Sequence, residues 1–581
     1  MNQKELREKF LDFFVKKEHK KLPSSSLIDV TDPSVLLTTA GMQQFKDYFS
    51  GKRKADNELG SQKVTTIQKC FRTSDIESVG DKDHLTFLEM LGNFSFNGSY
   101  FKKEAIALSI EFFESLGFKK KDFEVTVFEG DKDVPFDKQS YQIWLNAGLK
   151  ESQIKKCGRE DNFWGPTGDE GPCGPTTEIY LGGSEVWNIV FNQYYKDRKG
   201  SLVPLEKKGI DTGMGLERLA MALGKKKSVF ETDFFVPLIT EIRSAGKYEQ
   251  NEANQKEERI IADHMRGSVF LIAEGLAPSN LKEGYILRRV LRRAIRSALK
   301  LGLKEDWYVV LVKRIIEEYG GFWPEVKKGE ENLLAVIEKE NSNFKKVLRQ
   351  GEKELEKLLL KQGDEKIFSG ENAFRLFESC GFPIELTKEL LKEKGLELDE
   401  KGFNKAKETH QSVSKTIQEK KEGGIRANPD YDEIKLHTAT HLLHKALRDV
   451  LGDKVQQMGS DINEKRLRFD FSFGRALTEE EIEKVEKIVN QKIGQDLQID
   501  KEETAYKQAL EMGCLGFFKE KYPKNVSVYK IHSKESKTDF FSCEICRGPH
   551  VKLTSELKSF KIIKQESVGA GARRIKAKVE K

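Results

Sequence analysis

A chain of 581 residues exceeds what one hydrophobic core supports and calls for two to four domains. One third of it is charged and 38% is hydrophobic, and no run of about 18 apolar residues occurs, which excludes membrane-spanning helices and suits a soluble globular protein. The net charge of +6 is modest, so nucleic-acid binding has to come from local clusters of Lys and Arg. Seven cysteines without framework spacing point to a reducing compartment, the cytoplasm by default.

The chain opens on MNQKELREKFLDFF, an amphipathic charged helix pattern rather than a signal peptide. Residues 1–225 then mix helical periodicity with short apolar runs and Gly-rich turns, the pattern of an α/β or α+β catalytic core. QKCFRTSDIESVGDKDHLTFLEMLGNFSF (68–96) reads as strand, turn, strand, with Arg72 leaving the first strand and His84 and Phe87 on the return. A phosphate needs a fixed cation, and Arg offers a bidentate fork that Lys lacks. DNFWGPTGDEGPCGPTTEIYLGGSEVWNIVF (161–191) adds an aromatic, Trp164, and an amide, Asn188. GIDTGMGLERLAMAL (209–223) combines glycines that permit close backbone approach with a helix carrying Arg218 in its first turns. Each segment alone is weak, because an Arg after a Phe is usually a surface residue and a Gly-rich turn is usually just a turn. None is a P-loop.

From about 235 to 422 the pattern is almost wholly helical. ILRRVLRRAIRSALK sets Arg288, Arg292 and Arg296 on one stripe, with Arg289 and Arg293 beside it. Few nearby acids balance this run, so it reads as a phosphate-binding face as readily as a solvated one. Residues 386–422 read as one long polar helix that stops at Gly423 and Gly424, and ANPDYD is a connector. The last third alternates helix HTATHLLHKALRDVLG, strand RLRFDFSF, helix EEEIEKVEKIVNQKI and further strands, a compact α+β unit.

Two pairs at i, i+4 spacing stand out there: His437 with His441, and Cys546 with His550. On a helix the first pair leaves one face a turn apart, and three imidazoles with a thiolate make a plausible Zn²⁺ shell. One HxxxH alone would suggest buried, hydrogen-bonded histidines; two such pairs favour metal. CEIC leaves Cys543 open as a competing ligand.

Taken together these segments resemble the alanyl-tRNA synthetases, a family of class II aminoacyl-tRNA synthetases. The matching stretches include FLEMLGNFSF, EVWNIVFNQY, DTGMGLERLA, GYILRRVLRRAIR, HTATHLLHKAL, CRGPHV and ESVGAGARRI, in the family's order. The resemblance implies a multidomain α+β protein: a class II antiparallel-sheet catalytic domain (1–235), a helical domain for the tRNA acceptor stem (236–425), and a zinc-bearing editing domain (426–581). It implies Arg72 on the α-phosphate of ATP, His84 near the β- and γ-phosphates, Arg218 on the γ-phosphate, and Trp164 and Gly213 beside the nucleotide. Asn188, Val190, Asp211 and Gly213 would form the alanine pocket, Asp211 pairing with the ammonium. Asn280 and Glu378, with Arg288 and Arg292, would contact tRNA(Ala), and Gln457 would line the editing pocket. ATP with Mg²⁺, L-alanine and tRNA(Ala) are the implied partners. A free-standing editing hydrolase would not need Arg72, Asp211 or Arg218, and a protein with a dead site would have lost them.

Some positions depart from the family pattern. Asp83 stands where an Arg is common, Glu378 where an Asp reads the acceptor-stem wobble pair, and Arg547 and Pro549 where the family has CGGTH. A β-barrel insert is missing before HTATH, and the chain stops soon after GARRIKAK, short of the family's coiled coil and C-terminal domain. The sequence therefore predicts a minimal monomeric enzyme with weakened tRNA affinity. Sedimentation at micromolar concentration checks this, and a stable dimer would overturn it.

Overall fold

The computed structural model describes residues 1–28, 35–166, 168, 170–362, 365–419, 421–422, 425–426, 428–453, 455–516, 523–569 and 572–580. The chain forms two compact units, residues 1–346 and 347–581.

The first unit is built on a nine-stranded sheet. Its strands are β1 (Lys20–Lys21), β2 (Lys63–Phe71), β3 (Phe87–Ser95), β4 (Phe123–Phe128), β5 (Ile154–Cys157), β6 (Phe163–Trp164), β7 (Gly171–Leu181), β8 (Ser184–Lys196) and β9 (Leu202–Gly215). They run in the order β1-β2-β3-β9-β8-β7-β4-β5, with β6 paired onto β7. Only the outer pairs β1–β2 and β4–β5 are parallel. The long central strands are rich in Val, Ile, Thr and aromatic residues, the types that pack well on a pleated surface.

Short helices α2 (Lys46–Phe49), α3 (Ala55–Glu58), α5 (Lys138–Asn146) and α6 (Arg159–Asn162) decorate the sheet, while α1 (Gln3–Lys16), α4 (Lys102–Ser115) and α7 (Leu216–Leu223) supply core residues. Helix α1 starts at a capping box between Asn2 and Glu5. Its Phe10 and Phe14, with Phe112 and Phe113 of α4, surround Trp187 of β8 at centroid distances of 5.4–6.3 Å. The helical stretch continues as α8 (Val236–Ser244), α9 (Glu252–Ala273), α10 (Lys282–Lys300), α11 (Trp307–Tyr319), α12 (Pro324–Lys328) and α13 (Glu330–Gln362). Helix α9 lies close on the sheet because residue 267 is glycine: a Cβ there would come within 2.9 Å of the Phe71 ring and 3.3 Å of Phe87 Cβ. Phe270, one turn on, stacks on Phe87 at 4.1 Å.

In the second unit, α14 (Gly370–Cys380), α15 (Ile384–Glu393) and α16 (Glu400–Glu419) are joined by a parallel pair, β10 (Ile367–Phe368) with β11 (Glu397–Leu398). The single helix expected over 386–422 is thus two, and the expectation is corrected: α15 ends at Glu393 and the chain turns through Gly395 at φ +72°. The expected stop at Gly423 and Gly424 lies outside the described residues. A short hairpin, β12 (Lys421–Glu422) with β13 (Ile425–Arg426), precedes α17 (Tyr431–Leu451). Strands β14 (Gln457–Asn463), β15 (Arg466–Ser472), β19 (Phe560–Gly569) and β20 (Ala572–Val579) form a sheet in the order β14-β15-β20-β19. Leu442, Ala446, Phe469, Val485 and Ile575 lie in one core that joins α17 and α18 (Glu479–Gly494) to that sheet. A second sheet, β16 (Gln498–Ala505), β17 (Asn525–Ser533) and β18 (Ser536–Ile545), carries α19 (Tyr506–Glu511).

Arg7 and Glu89 form an ion pair with almost no exposure on either side chain; Arg7 Nε donates to Glu89 Oε1 at 2.8 Å, and the Trp323 indole donates to the same oxygen at 2.8 Å. Replacing Arg7 by Met strands a buried carboxylate and should cost about 3–5 kcal/mol in denaturant unfolding. Replacing both Arg7 and Glu89 by Met should recover much of that loss.

Candidate functional site

Register does most of the placement in the first unit. On β8 and β9, Asn188 stands opposite Gly213, and Val190 opposite Asp211. Because side chains alternate along a strand, all four positions share one face. On the next strand Glu178 faces Asn188 and Thr176 faces Val190. On the other flank a Cβ at Gly213 would touch Met90 Sδ at 3.0 Å, so a side chain at position 213 would have to displace Met90. Gln68 of β2 is the cross-strand neighbour of Met90. Arg72 follows β2 in extended conformation (φ −98°, ψ 106°), four residues beyond Gln68, and so continues on the same face.

Among the described residues no cation pairs with the buried acid on this face. Asp211 is 6% exposed, and no described residue donates a hydrogen bond or an ion pair to its carboxylate; burial pushes its pKa up to about 7. Glu178 is also pushed up to about 7, chiefly by burial and then by Glu185. Its oxygens accept from Asn188 Nδ2 at 3.2 Å and the Tyr180 hydroxyl at 2.8 Å. That bond orients the Asn188 amide and leaves its buried Oδ1 without a donor. Two acceptors, the Asp211 carboxylate and Asn188 Oδ1, stand ready for a small ammonium. Sequence reading missed Glu178, since TTEIY is an ordinary strand pattern and only the pairing of β7 with β8 ties this acid to Asn188.

The other nucleotide-site candidates are placed less uniformly. The Arg72 guanidinium has no carboxylate partner among the described residues, whereas Arg218, in the first turn of α7, donates to Glu185 Oε2 at 3.0 Å and to its carbonyl at 3.2 Å. His84 is not on the return strand as expected but in the loop before β3, where its Nδ1 meets Asp81. Asp81 Oδ1 also accepts the backbone N–H of Asp83 and of His84 at 2.9 Å, and this local knot keeps both residues in the loop. Trp164 lies on β6 opposite Gly174, beside the cluster of Phe45, Phe94 and Phe96.

The basic helix α10 corrects another expectation, that few acids balance it. Glu340 pairs with Arg288 and, at 2.7 Å, with Arg292; Glu77 takes Arg289 and Arg293 at 2.5 Å each. Those acids come from segments 48 or more residues away along the chain, where a local charge pattern carries no trace of them. Arg288 also donates to Asn280 Oδ1 and, at 3.1 Å, to the Pro278 carbonyl. In the second unit Glu378 of α14 lies 2.8 Å from His410 Nε2.

The four expected ligands in the second unit converge. One donor atom from each of His437, His441, Cys546 and His550 lies within 4.8 Å of all the others. The first two sit a turn apart on α17; the other two follow β18. His437 Nδ1 is 3.0 Å from the Pro549 carbonyl, so it carries the proton and turns Nε2 inward, 3.4 Å from Cys546 Sγ. His550 Nδ1 is held by Thr438 Oγ1 at 3.1 Å, and its buried Nε2 has no partner. Burial drives all three histidines towards the neutral form and raises the Cys546 thiol to about 12. Neutral, inward lone pairs fit a soft divalent cation, which would in turn hold the sulfur as thiolate. The loop needs Gly548, which has φ +72° and would drive a Cβ to 2.2 Å from the Tyr529 hydroxyl. The side chains at 547 and 549 differ from the expected motif without displacing a ligand from the cluster.

Cys543 lies outside that cluster, bonded instead to Cys514, 29 residues earlier, which departs from the expectation of wholly reduced cysteines. A bridge between Leu515 and Glu544 brings the two segments together, and the cysteine spacing showed no sign of it. Gln457 opens β14, its Nε2 donating to Ser460 Oγ at 3.1 Å.

Comparison with known proteins gives the family of the chain. The family described as "tRNA synthetases class II (A)" matches residues 5–464, and "Threonyl and Alanyl tRNA synthetase second additional domain" matches residues 526–576. A protein of Borreliella afzelii named alanine–tRNA ligase is 42% identical over 98% of this chain and 98% of its own length. One so named from Treponema denticola is 43% identical over 99% and 98%. Another, from Rubrobacter xylanophilus, is 36% identical over 99% of this chain and 78% of its own length. Among solved structures, Staphylococcus aureus histidyl-tRNA synthetase covers 44% of this chain and 82% of its own at 14% identity and TM-score 0.26, a likeness too slight to use.

Asp211 also makes a stability prediction. Its folded pKa of about 7 lies above the ordinary 3.8, so its contribution is intact below pH 4 and is lost as pH rises through 7. Asp211→Asn should therefore match the parent near pH 4 and exceed it at pH 8 by up to about 4 kcal/mol in urea unfolding. Equal stabilities at pH 8 would show that the carboxylate is solvated after all.

Proposed function

Since the chain belongs to the alanine–tRNA ligase family of class II tRNA synthetases, we propose that it attaches alanine to tRNA(Ala) through an alanyl-adenylate and edits mischarged product at a second, zinc-bearing site. The observation that carries the ligase reading is the pairing, on one sheet face, of a buried carboxylate without a cation and an Arg without a carboxylate.

The alanine carboxylate is ionised at neutral pH, so its attack on the α-phosphorus of ATP needs no general base. An oxygen–phosphorus bond forms, the bond to the β-phosphate oxygen breaks, and pyrophosphate leaves; Mg²⁺ bound with ATP would neutralise part of its charge. Asp211 holds the ammonium, Asn188 Oδ1 takes a second N–H, and Val190, Gly213 and Met90 wall the methyl group. Arg72 neutralises charge building on the α-phosphoryl oxygens; His84, Trp164 and Arg218 serve the rest of the nucleotide. Alignment and charge neutralisation are the catalytic terms. The terminal ribose hydroxyl of tRNA then attacks the carbonyl carbon and AMP departs. Arg288, Arg292, Asn280 and Glu378 are the proposed tRNA contacts, so the two arginines exchange Glu340 for phosphate on binding.

A pocket for a methyl group discriminates poorly against glycine or serine, by roughly 1–3 kcal/mol, which is the physical case for editing. His437, His441, Cys546 and His550 would hold Zn²⁺, which supplies Lewis acidity to order or polarise groups at the ester, and Gln457 lines that pocket. The reading includes a domain order of 1–235, 236–425 and 426–581, monomeric action and a cytoplasmic setting.

Alanine-dependent ATP–pyrophosphate exchange without tRNA tests the ligase. Asp211→Asn should abolish it through a large rise in KM for alanine, and Arg72→Ala should lower kcat by about 100-fold or more. Metal analysis should find one Zn²⁺ per chain. His441→Ala should lose it and accumulate seryl-tRNA with exchange intact; equal loss of both activities would sink the two-site reading.

A further inference from the structure

Two arginines of α10 are held by ion pairs within the protein. Arg289 and Arg293 reach Glu77, in the loop between β2 and β3, at 2.5 Å each. Arg293 does more: its Nε lies 3.1 Å from His264 Nε2 on α9. A guanidinium can only donate, so Nε2 accepts and the His264 proton sits on Nδ1. That Nδ1–H donates at 2.9 Å to Asp263 Oδ2. Asp263 in turn accepts the backbone N–H of Thr86 at 3.0 Å and its hydroxyl at 2.5 Å. The Thr86 carbonyl accepts the backbone N–H of Arg72 at 2.8 Å. His264, Asp263 and Thr86 have no exposure at all. One turn on, Arg266 donates to the Phe87 carbonyl and, at 2.9 Å, pairs with Glu217. Helix α9 thus grips the backbone at both Thr86 and Phe87, the closing end of the loop.

We infer that Arg293, His264 and Asp263 form a positioning relay that sets the height and direction of Arg72 at the sheet edge, so that the basic helix acts on ATP activation through the protein rather than through RNA alone. The inference rests on the reading of Arg72 as the α-phosphate's cation. The links from Arg293 to His264 and from His264 to Asp263 are one-way side-chain donor–acceptor steps, so neither Arg293 nor Asp263 can be swapped for a residue that merely keeps charge or size. Loss of a link lets Arg72 drift, and a misplacement on the order of 1 Å costs rate out of proportion to stability. The polar alanine contacts, Asp211 and Asn188, lie on β8 and β9, which the relay does not touch.

The test uses the full chain in alanine-dependent ATP–pyrophosphate exchange without tRNA, with thermal melts alongside. Asp263→Asn sets an amide donor against either the His264 Nδ1–H or the Thr86 backbone N–H, whichever way the amide turns. Arg293→Lys keeps a cation facing Glu77 but lacks the Nε donor, while Arg293→Gln removes both. Asp263→Asn and Arg293→Lys should each lower kcat by about tenfold or more and raise KM for ATP, with KM for alanine within about twofold and melting little changed. Arg293→Lys should be nearly as impaired as Arg293→Gln. Parent-like kcat and KM for ATP in Arg293→Lys would overturn the relay, as would parallel changes in both KM values that track loss of folded protein. Should Asp263→Asn fail to fold, Arg293→Lys, at the outer end, decides alone. A parent enzyme without exchange activity would instead remove the ligase reading, and the relay with it.

Discussion

The first unit depends on the register of β8 against β9. With Val190 opposite Asp211 and Asn188 opposite Gly213, a buried carboxylate and an orphaned amide oxygen meet on one face. A slip of β8 by one residue would turn Asn188 and Val190 into the opposite face, where Trp187 and its ring of phenylalanines sit. The hydrophobic packing of Trp187 therefore does more than stabilise the sheet: it forbids the slipped register and so protects the polar face. The cost is a desolvated acid at Asp211, which the ammonium of the proposed substrate would neutralise.

Helix α9 extends that logic to the phosphate side. Gly267 lets it approach the sheet, Phe270 stacks on Phe87, and Asp263 and Arg266 take up backbone groups that an antiparallel edge leaves open at the loop. The helices up to residue 346 form one compact unit with the sheet. The part of the helical stretch that carries α9 and α10 is thus structurally continuous with the aminoacyl site, and charges on α10 are spent on the loop that bears His84 and on Glu340.

Both proposed sites share one device, a buried polar atom left unpaired where a ligand would complete it. Asn188 Oδ1 plays that part in the first unit and His550 Nε2 in the second. Each is held in place by a bond from its other end: Glu178 orients the Asn188 amide, and Thr438 fixes the His550 ring. Preorganisation of this kind makes ligand binding a matter of filling a gap rather than moving side chains.

What the sequence alone determined was local chemistry. Spacing at i, i+4 put His437 and His441 on one helix face, and the glycines before α7 marked a turn leading into a helix, because these properties depend on residues a few positions apart. Even there Gly395 split a helix that polarity alone suggested was continuous. Tertiary structure decided everything that depends on distant partners: Glu77 and Glu340 neutralising α10, Glu178 behind Asn188, Cys514 removing Cys543 from the metal set, and the path from Arg293 to Arg72. A charge or hydrogen bond acts over a few ångströms in space. When its two ends lie tens or hundreds of residues apart along the chain, only folding brings them together.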